Sequence, residues 1–280
     1  AMNLYRARAS LQRVFELLDR PLPPRPTGGG RNLEQLAGDV ALQRVTFAYP
    51  GGGTVLDRVS FEVAAGSSLA VVGPSGAGKS TVVDLLMGLR RPSAGQVVLD
   101  GHDRATLDPA TVLPRMALVS QRPAIWTGTV RDNLLYGVPE QGDDELWLAL
   151  ERVGLDDHVR GLEGGLDAHL GQRGGRLSEG QRQRLGLAQA LVRRPSILVL
   201  DEVTSALDWR AEDAVLQLLD SLAGDCTRIL VTHRLSMAAR ADQIVVIDRG
   251  QIVQRGNHRE LAATDGLYAE LLARQVAVKP

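Results

Sequence analysis

Cysteine is nearly absent from this chain: Cys226 is the only one in 280 residues. An internal disulfide is therefore excluded, which suits a reducing compartment. No uninterrupted apolar run approaches the roughly 20 residues needed to cross a bilayer, and no signal peptide is visible. An excess of either charge is also lacking. With 32 Lys and Arg against 33 Asp and Glu, the net charge is -1, which gives no reason to expect bulk attraction to nucleic acid or anionic lipid. No internal repeat is found. What remains is ordinary for a folded protein, 44% hydrophobic and 23% charged, enough for a real core in one large domain or two modest ones.

Against that plain background one stretch stands out, Gly73-Pro74-Ser75-Gly76-Ala77-Gly78-Lys79-Ser80-Thr81. It follows the apolar run Ser68 to Val72, which reads as a buried strand, and precedes Val82 to Met87, which reads as a helix start. Strand, glycine-rich loop and helix are the context that a phosphate-binding loop requires. Its glycines let backbone N–H groups turn inward toward phosphate oxygens, and the helix N-terminus adds positive potential. Lys79 would reach the β- and γ-phosphates, and Ser80 would offer its hydroxyl to Mg²⁺.

The rest of the chain arranges itself around this loop. Residues 4–20 read as an amphipathic helix with Leu4, Leu11, Val14, Phe15 and Leu18 on one side. The prolines and glycines of residues 21–30 read as a linker. Strands are expected over 40–49, as a pair over 55–63, and over 95–101 and 116–120. Residues 130–171 carry helical spacings broken by glycines. A long helix starting near Ser178 should stop before Pro195. Ser196 to Leu200 reads as a buried strand ending in Asp201-Glu202, and Arg228 to Thr232 as another ending in His233. A helix over 210–223, strands over 243–248 and 251–255, and a helix over 267–273 complete the pattern. Alternating strands and helices imply an α/β fold with a mostly parallel sheet, and ligand chemistry at the strands' C-terminal ends. The opening Ala1-Met2-Asn3 reads as a vector remnant on an excised piece.

Leu177-Ser178-Glu179-Gly180-Gln181 lies directly before the long helix and upstream of Asp201. With the loop at 73–81, Gln121, Asp201-Glu202, Ser205-Ala206-Leu207-Asp208 and His233 in that order, the chain resembles the ATPase domain of an ABC transporter from about Val40 onward. The resemblance implies a P-loop NTPase core, an N-terminal antiparallel β part and a helical insert at about 130–192. It further implies ATP and Mg²⁺ as cofactors, with Gly73, Ser75, Gly76, Gly78, Lys79, Ser80 and Thr81 on the phosphates. Tyr49 would stack on adenine, although alone it would read as strand filler. Ser80, Gln121 and Asp201 would face Mg²⁺. Glu202 would polarise the hydrolytic water, with His233 and Gln121 as its catalytic company. Ser178, Gly180 and Gln181 would cap ATP held by a facing subunit, and Asp208 would communicate with that subunit.

Two departures from the family pattern stand in this chain. Glu179 occupies a place where glycine is commonest, and Gln172 one where glutamate is usual in the exporter cross-talk loop. Glu179 suits a helix N-terminus and is expected to point away from the phosphate. The segment Ser120 to Leu134, with Trp126-Thr127-Gly128-Thr129, resembles exporters rather than importers. Phe15 to Asp19 resembles the end of a membrane-domain helix. Residues 1–20 are thus expected to be the tail of a removed membrane helix, 21–39 a linker and 40–280 the ATPase domain. The expected partners are a transmembrane domain and a second ATPase domain, as an ATP-dependent homodimer or as a heterodimer with a degenerate partner, with no nucleic acid. The expected place is the cytoplasmic face of the cell membrane. A soluble ABC ATPase acting on DNA or ribosomes would need a long coiled coil or a second cassette. A small-molecule kinase leaves the signature segment unexplained, and a non-catalytic module conflicts with Lys79 and Glu202.

Overall fold

The first strands pair locally. β1 (Val40–Ala48) and β2 (Thr54–Val63) run antiparallel, with Val40 opposite Val63. Residues 55–63, expected as a strand pair, form part of this single strand. Leu56, Val59, Phe61 and Val63 are buried, so the in–out alternation slips once between Leu56 and Val59. A bulge with Arg58 at φ 51 absorbs the slip, where a turn would have split the strand.

The computed structural model describes residues 30–138, 141–204 and 209–278, with 8, 11–16 and 18–19 near the N-terminus. Of the expected first helix, residues 11–16 are helical and exposed. After β3 (Ser68–Val72) comes α1 (Lys79–Leu86), then β4 (Ala94–Leu99), β5 (His102–Asp103) and β6 (Met116–Val119). A helical stretch follows: α2 (Val130–Leu134), α3 (Asp143–Arg152), α4 (Asp156–Arg160) and α5 (Glu179–Val192). The chain then alternates through β7 (Ile197–Asp201), α6 (Trp209–Ser221), β8 (Thr227–Val231) and α7 (Leu235–Ala238). It closes with β9 (Gln243–Asp248), β10 (Gln251–Gly256), α8 (His258–Ala263) and α9 (Leu267–Val278).

Two sheets result, one ordered β2-β1-β4-β5 and antiparallel, the other ordered β10-β9-β3-β8-β7-β6. In the second, only β10 is antiparallel to its neighbour. Every residue of β3 is buried, as expected of a parallel strand covered on both faces. Leu69 and Val71 point into the cluster shared with the antiparallel sheet and α1, whereas Ala70 and Val72 point into the cluster under the helices. The same period-2 division holds in β7 and β8. Because β3, β6, β7 and β8 are parallel, their C-terminal ends open on one edge of the sheet. The phosphate loop, Gln121, Asp201-Glu202 and His233 each follow one of these ends.

Candidate active site

Between β3 and α1 the chain turns through Gly73, Gly76 and Gly78, at φ 152, 80 and 105, angles that side chains other than glycine rarely adopt. Lys79, the first residue of α1, is 7% exposed. Its Nζ donates to the carbonyl oxygens of Gly73 and Pro74, both at 2.9 Å, so the ammonium sits in the bowl of its own loop. Ser75, Gly76 and Ser80 are exposed, while Thr81 is buried. Thr81 Oγ1 lies 3.3 Å from the Tyr49 hydroxyl. Tyr49 thereby joins the end of β1 to the loop's helix. Phe47 meets its ring edge-on at 4.9 Å, and the Arg90 guanidinium lies 5.4 Å from the ring centroid.

Next along the edge stand the carboxylates. Asp201 ends β7 and Glu202 follows at φ 53, its N–H donating to Val231 O at 2.9 Å. A non-glycine residue in this region costs about 1–2 kcal/mol. The strained backbone turns Glu202 out of the strand direction, and its Oε1 lies 3.4 Å from His233 Nδ1. Burial pushes the Asp201 carboxyl above the ordinary carboxylate range, Glu202 adds to the shift, and Lys79 opposes it. Burial likewise pushes Lys79 below the usual lysine range, against Glu202 and Asp201. The two groups thus feel each other's fields across the loop.

A stability prediction follows from the raised Asp201 pKa. Folding favours its neutral form, so the stability that it contributes below the ordinary carboxylate range is lost as pH rises through the raised value. Asp201→Asn should therefore raise the melting temperature by a few degrees at neutral pH, and the gain should shrink in acid where both folded and unfolded states are protonated. Thermal melts of the two chains across pH check this. A variant that melts lower at neutral pH contradicts it.

Ser178 and Gln181 are accounted for by a capping box at the start of α5. Gln181 N donates to Ser178 Oγ at 3.2 Å, and Ser178 N donates to Gln181 Oε1 at 2.8 Å. The helix start expected near Ser178 is thus fixed by an S-x-x-Q box. Gly180 is half-buried, whereas Ser178 and Glu179 are exposed. The helix beginning is thus an exposed N-terminus whose hydroxyl already carries one bond. Gln121 is exposed, but its carbonyl accepts from Gln183 Nε2 at 3.2 Å. Gln183, which sequence reasoning missed, is 3% exposed on α5; a polar residue on that helix's buried side was its only signal. Beside it Gly186 admits Pro123, whose Cβ would lie 2.4 Å from any added methyl. The 121–127 loop and α5 thus enclose a cleft of about 710 Å³ that also touches Arg173, Glu179 and Arg182. A second concavity, of about 1640 Å³, lies along the antiparallel sheet around Arg44, Arg58 and Arg255. Asp208 lies outside the described residues, as do Ser205, Ala206 and Leu207.

Among the described residues no group of three or more His, Cys, Asp or Glu could hold a metal ion by itself. Mg²⁺ fits such a sparse set, since it is commonly held by one or two protein oxygens with phosphates and water completing the shell. Ser80 on the first turn of α1 and Asp201 at the end of β7 supply such oxygens on the same edge.

The ABC transporter family model matches residues 56–205. The chain is 41% identical over 270 residues to an ATP-dependent lipid A-core flippase of Ralstonia nicotianae, covering 95% of this chain and 45% of that protein. It is 39% identical over 281 residues to ABC transporter B family member 14 of Arabidopsis thaliana, covering 99% of this chain and 22% of that one. A solved structure of a bacterial Atm1-family ABC exporter with ATP bound superposes with a TM-score of 0.89 at 35% identity, over 97% of this chain and 48% of that one. The chain spans less than half the length of each of these relatives. Among the described residues no helix is long and apolar enough to cross a membrane.

Proposed function

The chain belongs to the ABC transporter family as its ATPase domain, and from that premise we propose that it powers export by hydrolysing ATP between two facing copies. The observation that carries this reading is the Glu202–His233 pair, 3.4 Å apart, on the strand edge that also bears Lys79 and Asp201. Residues 40–280 form the ATPase unit, with the helical insert at about 130–192. Residues 1–20 continue from a membrane helix, and 21–39 link the two. The partner is a transmembrane domain, with the site on the cytoplasmic face of the membrane. The lipid A-core flippase and the Atm1-family exporter support the direction of transport; what this chain's transporter carries is decided by the membrane part.

In this mechanism the loop from Gly73 to Thr81 wraps the phosphates, and Lys79 exchanges its bonds to the Gly73 and Pro74 carbonyls for phosphate oxygens. The adenine stacks on Tyr49, on the face away from Arg90 or in its place. Ser80, Asp201 and Gln121 would hold Mg²⁺, which would supply positive charge against the phosphates. Glu202 takes up the proton of the attacking water as general base. His233 lies beside that carboxylate and contacts the γ-phosphate. Ser178, Gly180 and Gln181 of the facing copy cover the γ-phosphate with a helix N-terminus, and Asp208 joins the two copies. Glu179, exposed at that helix start, keeps its charge in solvent.

The test is complementation in trans. Lys79→Ala and Ser178→Arg chains should each be inactive, while mixing them restores ATP hydrolysis that neither supports alone. The mixed dimer holds one site with an intact loop from one copy and an intact helix start from the other. Rescue that never exceeds the sum of the separate rates would defeat the facing-copy arrangement.

A further inference from the structure

We propose that Gln275, on the C-terminal helix α9, is a positioning residue that holds His233 against Glu202; this rests on the reading of His233 as a γ-phosphate contact. The His233 ring is half-exposed, with Glu202 Oε1 3.4 Å from its Nδ1. A ring so lightly held is aimed by its backbone, and that backbone lies between β8 and α7, outside any regular element. The Gln275 amide brackets this segment. Its Nε2 donates to the His233 carbonyl, and its Oε1 accepts from the Leu235 N–H at 3.0 Å. The second bond matters because α7 starts at Leu235 with no side-chain cap of its own at Arg234. A residue 40 positions away supplies that cap.

The remaining groups of the turn are braced from other sides. Arg234 N donates to Thr232 Oγ1 at 2.9 Å, and Thr232 N donates to Val71 O at 3.2 Å, tying the turn to the strand that feeds the phosphate loop. Glu212 on α6 pairs with Arg234 and accepts from Ser236 Oγ at 2.7 Å. Of these braces, Gln275 alone grips the His233 backbone itself. α9 is a firm place to grip from. Tyr268, two turns earlier, is fully buried; its N–H donates to Gln254 Oε1 at 2.8 Å and its hydroxyl lies 2.8 Å from His258 Nδ1. A locked supporting residue behind an exposed reactive one is how a site is held to working precision.

The experiment uses the 280-residue chain with its histidines isotope-labelled, His233 being assigned by the signal lost in His233→Asn. Gln275→Ala should shift the His233 ring resonance while leaving that of His258, which reports docking of α9, unmoved. In the hydrolysis assay kcat should fall about ten-fold or more with KM for ATP unchanged. Gln275→Met keeps length and packing but loses both bonds, and it carries the test should the alanine variant not fold. An unmoved His233 resonance overturns the proposal. So does joint movement of His233 and His258, which means that α9 has undocked, and so does an unchanged kcat. A parent chain that hydrolyses no ATP would sink the proposed function, while the resonances still decide whether Gln275 holds His233.

Discussion

Glutamine at position 202 should lower ATP turnover by about 10²–10⁴-fold, the usual worth of a positioned general base, without loosening ATP binding. The exchange replaces one oxygen by an NH₂ of equal size. Glu202 keeps its place through its backbone, because its N–H donates to Val231 O and its φ of 53 is set by the strand end. The variant side chain therefore occupies the same spot beside His233 and has no basic oxygen pair to accept the water's proton. If closure of two copies over ATP precedes hydrolysis, the variant should accumulate as a dimer. Size-exclusion chromatography with ATP and Mg²⁺ should show that dimer, and without nucleotide a monomer. Turnover near that of the parent would remove Glu202 from the chemistry. A dimer that forms equally without ATP would remove nucleotide from the interface.

Alanine at position 73 should act by a different route, through the fold. A Cβ built on Gly73 would lie 2.0 Å from the carbonyl oxygen of Ile247, where φ is already 152. Ile247 belongs to β9, which pairs in parallel with β3 as far as Val72 opposite Val246. Neither partner can yield without breaking the two-strand register that carries the loop. The expected cost is about 4 kcal/mol or more, in the range reserved for core disruption. For a chain of this size that lowers the melting temperature by roughly 10 °C. Gly76→Ala is the control. Its Cβ would meet nothing within 4 Å, leaving only the cost of φ 80, about 1–2 kcal/mol. Calorimetry of both variants decides the matter, and equal melting temperatures would show that the Ile247 contact does not constrain the loop.

The two variants divide along a line that runs through the whole molecule. That Gly73 must be glycine was readable from the loop pattern, but the reason assumed for it was approach to phosphate. The Ile247 carbonyl, over 170 positions away, is an equal reason and left no trace near Gly73. The helix start near Ser178 and the apolar strands leading to Asp201 and His233 were legible because their causes are local, lying in spacings within one turn or one pleat. The strand over 54–63 was misread as a pair for the same reason. Its slip in alternation belongs to a bulge, and a bulge is a property of two paired strands.

Local chemistry in the chain, then, was enough to identify the phosphate loop, the carboxylates at a strand end and the helix start near Ser178, since each is made by residues within a few positions of one another. Proximity between those pieces came from pairing. Asp201 lies opposite Val231 in the β7–β8 register, and this brings His233 within 3.4 Å of Glu202. Gln183 under Gln121, Arg90 over Tyr49 and Gln275 behind His233 have the same origin. Strand order and helix docking are set by burial of two large apolar clusters, which depends on the sum of many side chains and leaves no signature at any single residue.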